Sequence, residues 1–228
     1  MPADAPDALW HPSPNFGPRR GDARVFLVVL HYTAMASAAA ALERLCDPVH
    51  AVSAHYLIGA DGRLWQLVRE ADRAWHAGAG AWGGIADVNS ASIGIEIDND
   101  GTAPFAEPAM ARLEALLGHV MTRHGIPPAG VIGHSDCAPG RKADPGPRFD
   151  WARLARAGLA LAPPSPTADP GGDADALLAR AGYTAPDACP GARLAAFRMR
   201  FRPAATGPAD ATDRALLAAL PPAPTATA

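Results

Sequence analysis

The chain has 228 residues, 49% of them apolar, with a formal net charge of −3 and three cysteines. That length holds one substantial domain and a smaller one. The slight negative balance excludes the basic footprint of a nucleic-acid binder, no apolar run approaches the ~20 residues that span a bilayer, and an odd, widely spaced cysteine set is not a disulfide framework.

Residues 1–24, rich in Pro, Asp, Gly and Arg, read as an extended arm that Trp10 and Phe16 pin to the body. No charged segment followed by an apolar one marks a signal peptide there, and with the unpaired cysteines this points to the cytoplasm; a periplasmic protein trimmed of its leader would read the same. Val25–Leu30 (VFLVVL) is a continuous apolar run, the pattern of a strand buried on both faces, and it ends at His31. Ser37 is placed to cap a helix through Cys46, which Asp47-Pro48 stops. Ser53–Ile58 and Arg63–Val68 read as a hairpin around Asp61-Gly62. A Gly/Ala-rich loop follows, opening at Trp75 and running towards Asn89.

In Ser92–Ile97 (SIGIEI) three isoleucines face one way, while Gly94 and Glu96 face the other. A glutamate in so apolar a strand is costly without a partner. Residues 107–124 form the longest helix, stopped by Gly125. Val131-Ile132 is a last short strand that leads into GHSDCAPGRKADPGPRFDW at 133–151, where glycines and prolines deny passage to helix and strand alike. Residues 150–158 close the main domain, 25–161, with a helix. Residues 162–174 are a Pro/Ser/Gly/Asp linker, 175–220 carry three short helical patterns, and 221–228 are expected to be disordered. Forty-odd residues in three helices are marginal on their own.

The 133–151 stretch crowds an imidazole, a thiol, a lysine and several carboxylates into one loop. His31 and His134 each end a predicted buried strand, and parallel neighbours gather such ends on one rim, where ligands bind. Catalytic zinc takes three protein ligands and keeps an open position. His31 and His134 are two candidates, and spacing leaves Asp136, Cys137 and Asp144 open as the third. Cys137 could equally be a small buried apolar residue, or a nucleophile, although no base beside it is evident. Glu96 reads as a structural carboxylate or a general base. Lys142 reads as a solvated loop lysine or a cation for a developing oxyanion. His119 and His124 read as surface or end positions of the long helix, and His11 and His50 as isolated loop residues.

LHYT (30–33), VSAHYLI (52–58), AWHAG (74–78), NSASIGIEI (89–97) and the 133–151 stretch stand in an order that resembles the zinc-dependent N-acetylmuramoyl-L-alanine amidases. Within them the chain is similar to the AmpD/AmiD-like group, a relative of phage lysozyme-amidases and peptidoglycan recognition proteins, over about residues 10–155. The SPNFGPR arm (13–19) looks closer to the AmiD-type branch, and residues 175–220 resemble, less strongly, the three-helix peptidoglycan-binding domain of that branch. The resemblance implies an α/β fold with a central mixed sheet flanked by helices, and one zinc ion held by His31, His134 and Asp144. It implies Glu96 as general base, Lys142 as the transition-state lysine, and His55, His76 and Asn89 as substrate-binding residues of the cleft wall. Cys137 returns to a packing role. The implied reaction is hydrolysis of the amide between N-acetylmuramic acid and L-alanine, in peptidoglycan or (anhydro)muropeptides, by a protein expected to be monomeric. A catalytically silent peptidoglycan sensor on the same scaffold is the alternative, and the presence of all five functional residues speaks against it.

Overall fold

A computed structural model of the chain describes residues 3–21, 23–166 and 168–224. Its six-stranded sheet runs in the order β1 (Leu9–Trp10), β5 (Leu64–Gln66), β4 (Tyr56–Ile58), β7 (Ser92–Ile97), β3 (Leu27–Tyr32) and β8 (Val131–Gly133). Only the β4–β5 hairpin is antiparallel; the other four pairings are parallel. A separate ribbon pairs β2 (Phe16–Pro18) with β6 (Asp72–Ala74). The architecture is the mixed sheet flanked by helices that the sequence led one to expect.

Parallel strands need cover on both faces, and the two faces are covered differently here. On one, Val28 and Leu30 of β3 and the three isoleucines of β7 pack against the apolar stripe of α3 (Glu107–His124), including Leu113, Leu117 and Val120. Gly125 ends α3 in the left-handed conformation, with φ 66°, which only glycine adopts without cost. On the other face the cover is split. α1 (Ala38–Cys46), capped by Ser37 as its sequence suggests, packs over Leu57 and Trp65. The C-terminal helices α6 (Ala174–Ala181), α7 (Pro190–Phe201) and α8 (Ala211–Ala219) share a core with Leu27, Val29 and Ile132. Beside α1 lies a cleft of ≈ 490 Å³, lined by His31, Glu96, residues of α1 and the 133–151 loop.

Several expectations need correction. β3 begins two residues later than the apolar run and includes His31, because continuous burial does not mark where the ladder of hydrogen bonds begins. Both hairpin strands are likewise shorter, at Tyr56–Ile58 and Leu64–Gln66. The 133–151 loop does hold one helical turn, α4 (His134–Cys137), and α2 (Val88–Ala91) is another short turn. α5 (Trp151–Arg156) closes the main body. The arm is held by polar groups as well as by Trp10: Ser13 and Asn15 are buried, the Trp10 ring centre lies 4.1 Å from the Arg69 guanidinium, and Phe16 is 45% exposed. Arg19 donates to the carbonyls of Glu70, Asn89, Ser90 and Ser92, of which Asn89 and Ser90 are acceptors left over at the end of α2. Residues 221–224, expected to be disordered, lie against α6, where the Ala223 N–H donates to the Arg180 carbonyl. The expected disorder of 225–228 lies outside the described residues.

Candidate active site

The register of β3 with β7 makes His31 and Glu96 direct partners. Side chains paired in register point to the same face, so the imidazole and the carboxylate project together into the cleft beside α1. His134 opens α4, immediately after β8, the other neighbour of β3. The loop beyond it is folded back onto its own start. The Ser135 N–H donates to the Asp144 carbonyl at 2.8 Å, and a Cβ added to Gly133 would stand 2.7 Å from Cδ of Pro145. That closure brings Asp144 beside both histidines.

His31, His134 and Asp144 are all buried. Oδ2 of Asp144 lies 2.8 Å from Nδ1 of His31 and 3.0 Å from Nδ1 of His134, and the three atoms lie within 4.8 Å of one another. The other nitrogen of His134, Nε2, is 2.8 Å from the Ala77 carbonyl. A carbonyl only accepts, so Nε2 carries the hydrogen and Nδ1 presents its lone pair to Asp144. Burial, then the neighbouring His134, push the His31 imidazole down to about 4, against the pull of Asp144. An ionised carboxylate and an imidazole lone pair 3.0 Å apart repel each other unless a cation joins them. Two nitrogens and one oxygen, buried and convergent, can hold a metal ion.

Oε2 of Glu96 has no solvent contact and no hydrogen-bond partner among the described residues. Burial and the Asp144 carboxylate push its pKa well above the ordinary value, while Lys142 pulls it down. Lys142 is exposed and lines the cleft together with Arg141 and Asp144. Of the three residues expected on the cleft wall, His76 lines it and the other two stand behind it. His55 accepts the Gly94 N–H at Nδ1, with Nε2 against the Asp72 carbonyl, and Asn89 Oδ1 accepts the N–H groups of His76 and Ala77.

The two rival ligands point elsewhere. Asp136 accepts the Gly133 N–H at 2.8 Å, the Tyr183 hydroxyl at 3.0 Å and Nη1 of Arg200 at 3.3 Å. Cys137 is sealed in the core beneath the C-terminal helices, and burial raises its thiol pKa far from any nucleophilic range. Sequence reasoning passed over Arg141, Tyr183 and Arg200. Arg141 donates to the carbonyls of Ala77 and Ala79, beside His134; its place next to Lys142 was the one available signal. Arg200 also donates to the Val131 carbonyl and stacks 3.9 Å from the Trp151 ring centre. Its partner Asp136 lies 64 residues away in sequence, a pairing that no local pattern announces.

Residues 21–147 match the family model described as N-acetylmuramoyl-L-alanine amidase, more than half of the chain. The chain is 37% identical to N-acetylmuramoyl-L-alanine amidase AmiD of Escherichia coli K12, over 86% of its own length and 82% of that protein's. It is 42% identical to 1,6-anhydro-N-acetylmuramyl-L-alanine amidase AmpD of Citrobacter freundii over 45% of its length and 55% of that protein's. Among solved structures, Escherichia coli AmiD in complex with anhydro-N-acetylmuramic acid-L-Ala-D-gamma-Glu-L-Lys superposes with a TM-score of 0.77 at 36% identity, covering 89% of this chain and 90% of that one. AmpDh3 of Pseudomonas aeruginosa gives 0.76 at 32% identity, covering 96% and 98%. The chain therefore belongs to the N-acetylmuramoyl-L-alanine amidase family and is an enzyme of that type.

Proposed function

We propose that His31, His134 and Asp144 hold one zinc ion, and that Glu96 and Lys142 act beside it in cleaving the amide between N-acetylmuramic acid and L-alanine. The observation that carries this reading is the convergence of three acceptor atoms in one cleft with Glu96 in register beside His31. A zinc ion held there would supply Lewis acidity, able to polarise the scissile carbonyl and to make a water acidic enough to attack near neutral pH. Glu96 takes the proton of the attacking water and delivers it to the leaving amide nitrogen. Its raised pKa suits a group that must both accept and release a proton. Glu96 lines the cleft together with His31, which supports this assignment. Lys142, at the mouth, donates to the oxyanion of the tetrahedral intermediate.

The substrate class we assign is the muropeptide or peptidoglycan strand, in keeping with AmiD bound to an anhydro-muramyl tripeptide and AmpDh3 bound to an anhydromuramic pentapeptide. The three free cysteines favour a reducing compartment. No helix among the described residues is long and apolar enough to cross a membrane.

Metal content and product mass spectrometry test the reading together. The purified protein is expected to carry one zinc per chain and to release free stem peptide beginning with L-alanine, from anhydro-muropeptide or from sacculi, and a chelator is expected to stop the release. Peptide release that survives complete removal of metal would overturn it.

A further inference from the structure

His31 meets an unusual partner in the cleft wall. Its Nε2 lies 3.1 Å from Nδ1 of His76, and the two rings stand nearly perpendicular. An imidazole is an ambiguous partner, since either ring nitrogen can carry the hydrogen. The ambiguity is removed one step further back. Nε2 of His76 is 3.2 Å from Oγ of Ser92, and that hydroxyl donates to the Val88 carbonyl at 2.6 Å. With its single hydrogen committed to Val88, Ser92 can only accept from His76. His76 therefore carries its hydrogen on Nε2 and offers a lone pair at Nδ1. His31 must then donate from Nε2, which leaves its own Nδ1 lone pair facing Asp144.

The strand itself makes room for this chain. Gly94 sits between Ser92 and Glu96 on the face of β7 that turns to the cleft, and a Cβ there would stand 2.6 Å from Nδ1 of His76. The ring of His76 occupies the space a side chain would fill. Its backbone is held by Asn89, whose Oδ1 accepts the N–H of His76.

We infer that His76, oriented by Ser92 and seated on Gly94, is a positioning residue that fixes the tautomer of His31. The inference rests on the reading of His31 as a metal ligand. It gives His76 a role other than contact with substrate, although its ring borders the cleft.

The test uses the full chain, zinc-loaded, with two readouts besides activity: zinc affinity by competition with a chromophoric chelator, and the ring tautomers from long-range proton–nitrogen correlation spectra of histidine-labelled protein. The wild type is expected to show His76 as the Nε2–H form. His76→Phe, which keeps a ring over Gly94 and loses both nitrogens, is expected to weaken zinc binding about 10–100-fold, the usual cost of losing such a support, with KM for muropeptide little changed. His76→Asn, whose carboxamide oxygen can accept from His31, is expected to recover part of that loss. Ser92→Ala is expected to leave His76 in mixed tautomers with a smaller loss of affinity, and Ser92→Thr to behave as wild type. His76 found as the Nδ1–H form, or a His76→Phe protein that binds zinc as tightly as wild type and raises only KM, would overturn the inference. A wild type that takes up no zinc would instead overturn the metal reading, and the histidine spectrum of the zinc-free protein would then judge the relay alone.

Discussion

His31 and His134 turn the same ring nitrogen towards Asp144, yet they are held by different constructions. His31 belongs to the sheet, so the ladder to β7 and β8 places its backbone, and a relay of side chains fixes its ring. His134 stands on a single turn of helix outside the ladder. Its ring hydrogen goes to the Ala77 carbonyl, which also accepts from Arg141. Its helical turn is capped by Asp136, and Asp136 is braced by Tyr183 and Arg200 from the C-terminal region. A site residue on a strand inherits its position, whereas one on a loop needs supports brought from elsewhere. The C-terminal helices are therefore part of what holds the site as well as a cover for the sheet.

The largest expected effect lies on the strand side. Glu96→Gln keeps size and register but cannot accept a proton, and kcat should fall by about 10²–10⁴-fold, the range for losing a general base. Zinc content should stay at the wild-type value, because Glu96 is not among the three converging ligands. Loss of zinc along with activity would move Glu96 into the metal's own support and erase the distinction between base and ligand on β7.

On the loop side the probe is Arg200→Met. Arg200 and Asp136 leave only 5% and 2% of their side chains exposed, so the substitution strands a buried carboxylate. Breaking a buried pair in this way costs about 3–5 kcal/mol, to be read as a lowered midpoint of denaturant unfolding. The contrast between the two constructions predicts that zinc binds more weakly in this variant while the His76 tautomer is unchanged. A disturbed His76 would mean that the two supports are one unit.

Those supports also mark the limit of what could be read in the sequence. α1 and α3 were legible because their ends are written in local chemistry, Ser37 and Asp47 for one and Gly125 for the other. The alternation in β7 announced that Glu96 would leave the isoleucine face, and that holds. The choice among Asp136, Cys137 and Asp144 was not legible from spacing. It depends on how the loop closes through Ser135 and Asp144, and on partners, Tyr183 and Arg200, that arrive from another part of the chain. The resemblance to the amidases singled out Asp144, and the geometry gives physical reasons why its two rivals face away. The split cover of the sheet was equally hidden, since no periodicity says which face of the sheet a helix will choose.

Glu70 offers a third carboxylate environment and a smaller expected effect. It is buried, but burial is outweighed by hydrogen bonds from His124, Arg123 and Tyr56, and its pKa falls from 4.5 to about 2. The folded value lies below the unfolded one, so the stabilisation is present above the unfolded pKa and is lost as pH falls towards the folded one. The difference corresponds to about 3 kcal/mol. Unfolding midpoints measured from about pH 5 down to about pH 2 should fall for the wild type, and this acid-dependent part should vanish in Glu70→Gln. An unchanged acid profile in that variant would show that other carboxylates carry the transition.

The smallest expected effect concerns the arm, where the aromatic residues looked like anchors and the polar ones did not. Phe16 is 45% exposed, and its strand pairing with Ala74 uses backbone rather than ring. Phe16→Ala should change stability by no more than about 0.5 kcal/mol, the usual span for a surface substitution. Arg19→Met should cost several times more, because it strips donors from the carbonyls of Glu70, Ser90 and Ser92 at once. Ser92 is also the acceptor for His76, so the arm borders the relay behind His31. Equal losses in the two variants, measured as unfolding midpoints under one set of conditions, would return the anchoring role to the aromatic ring.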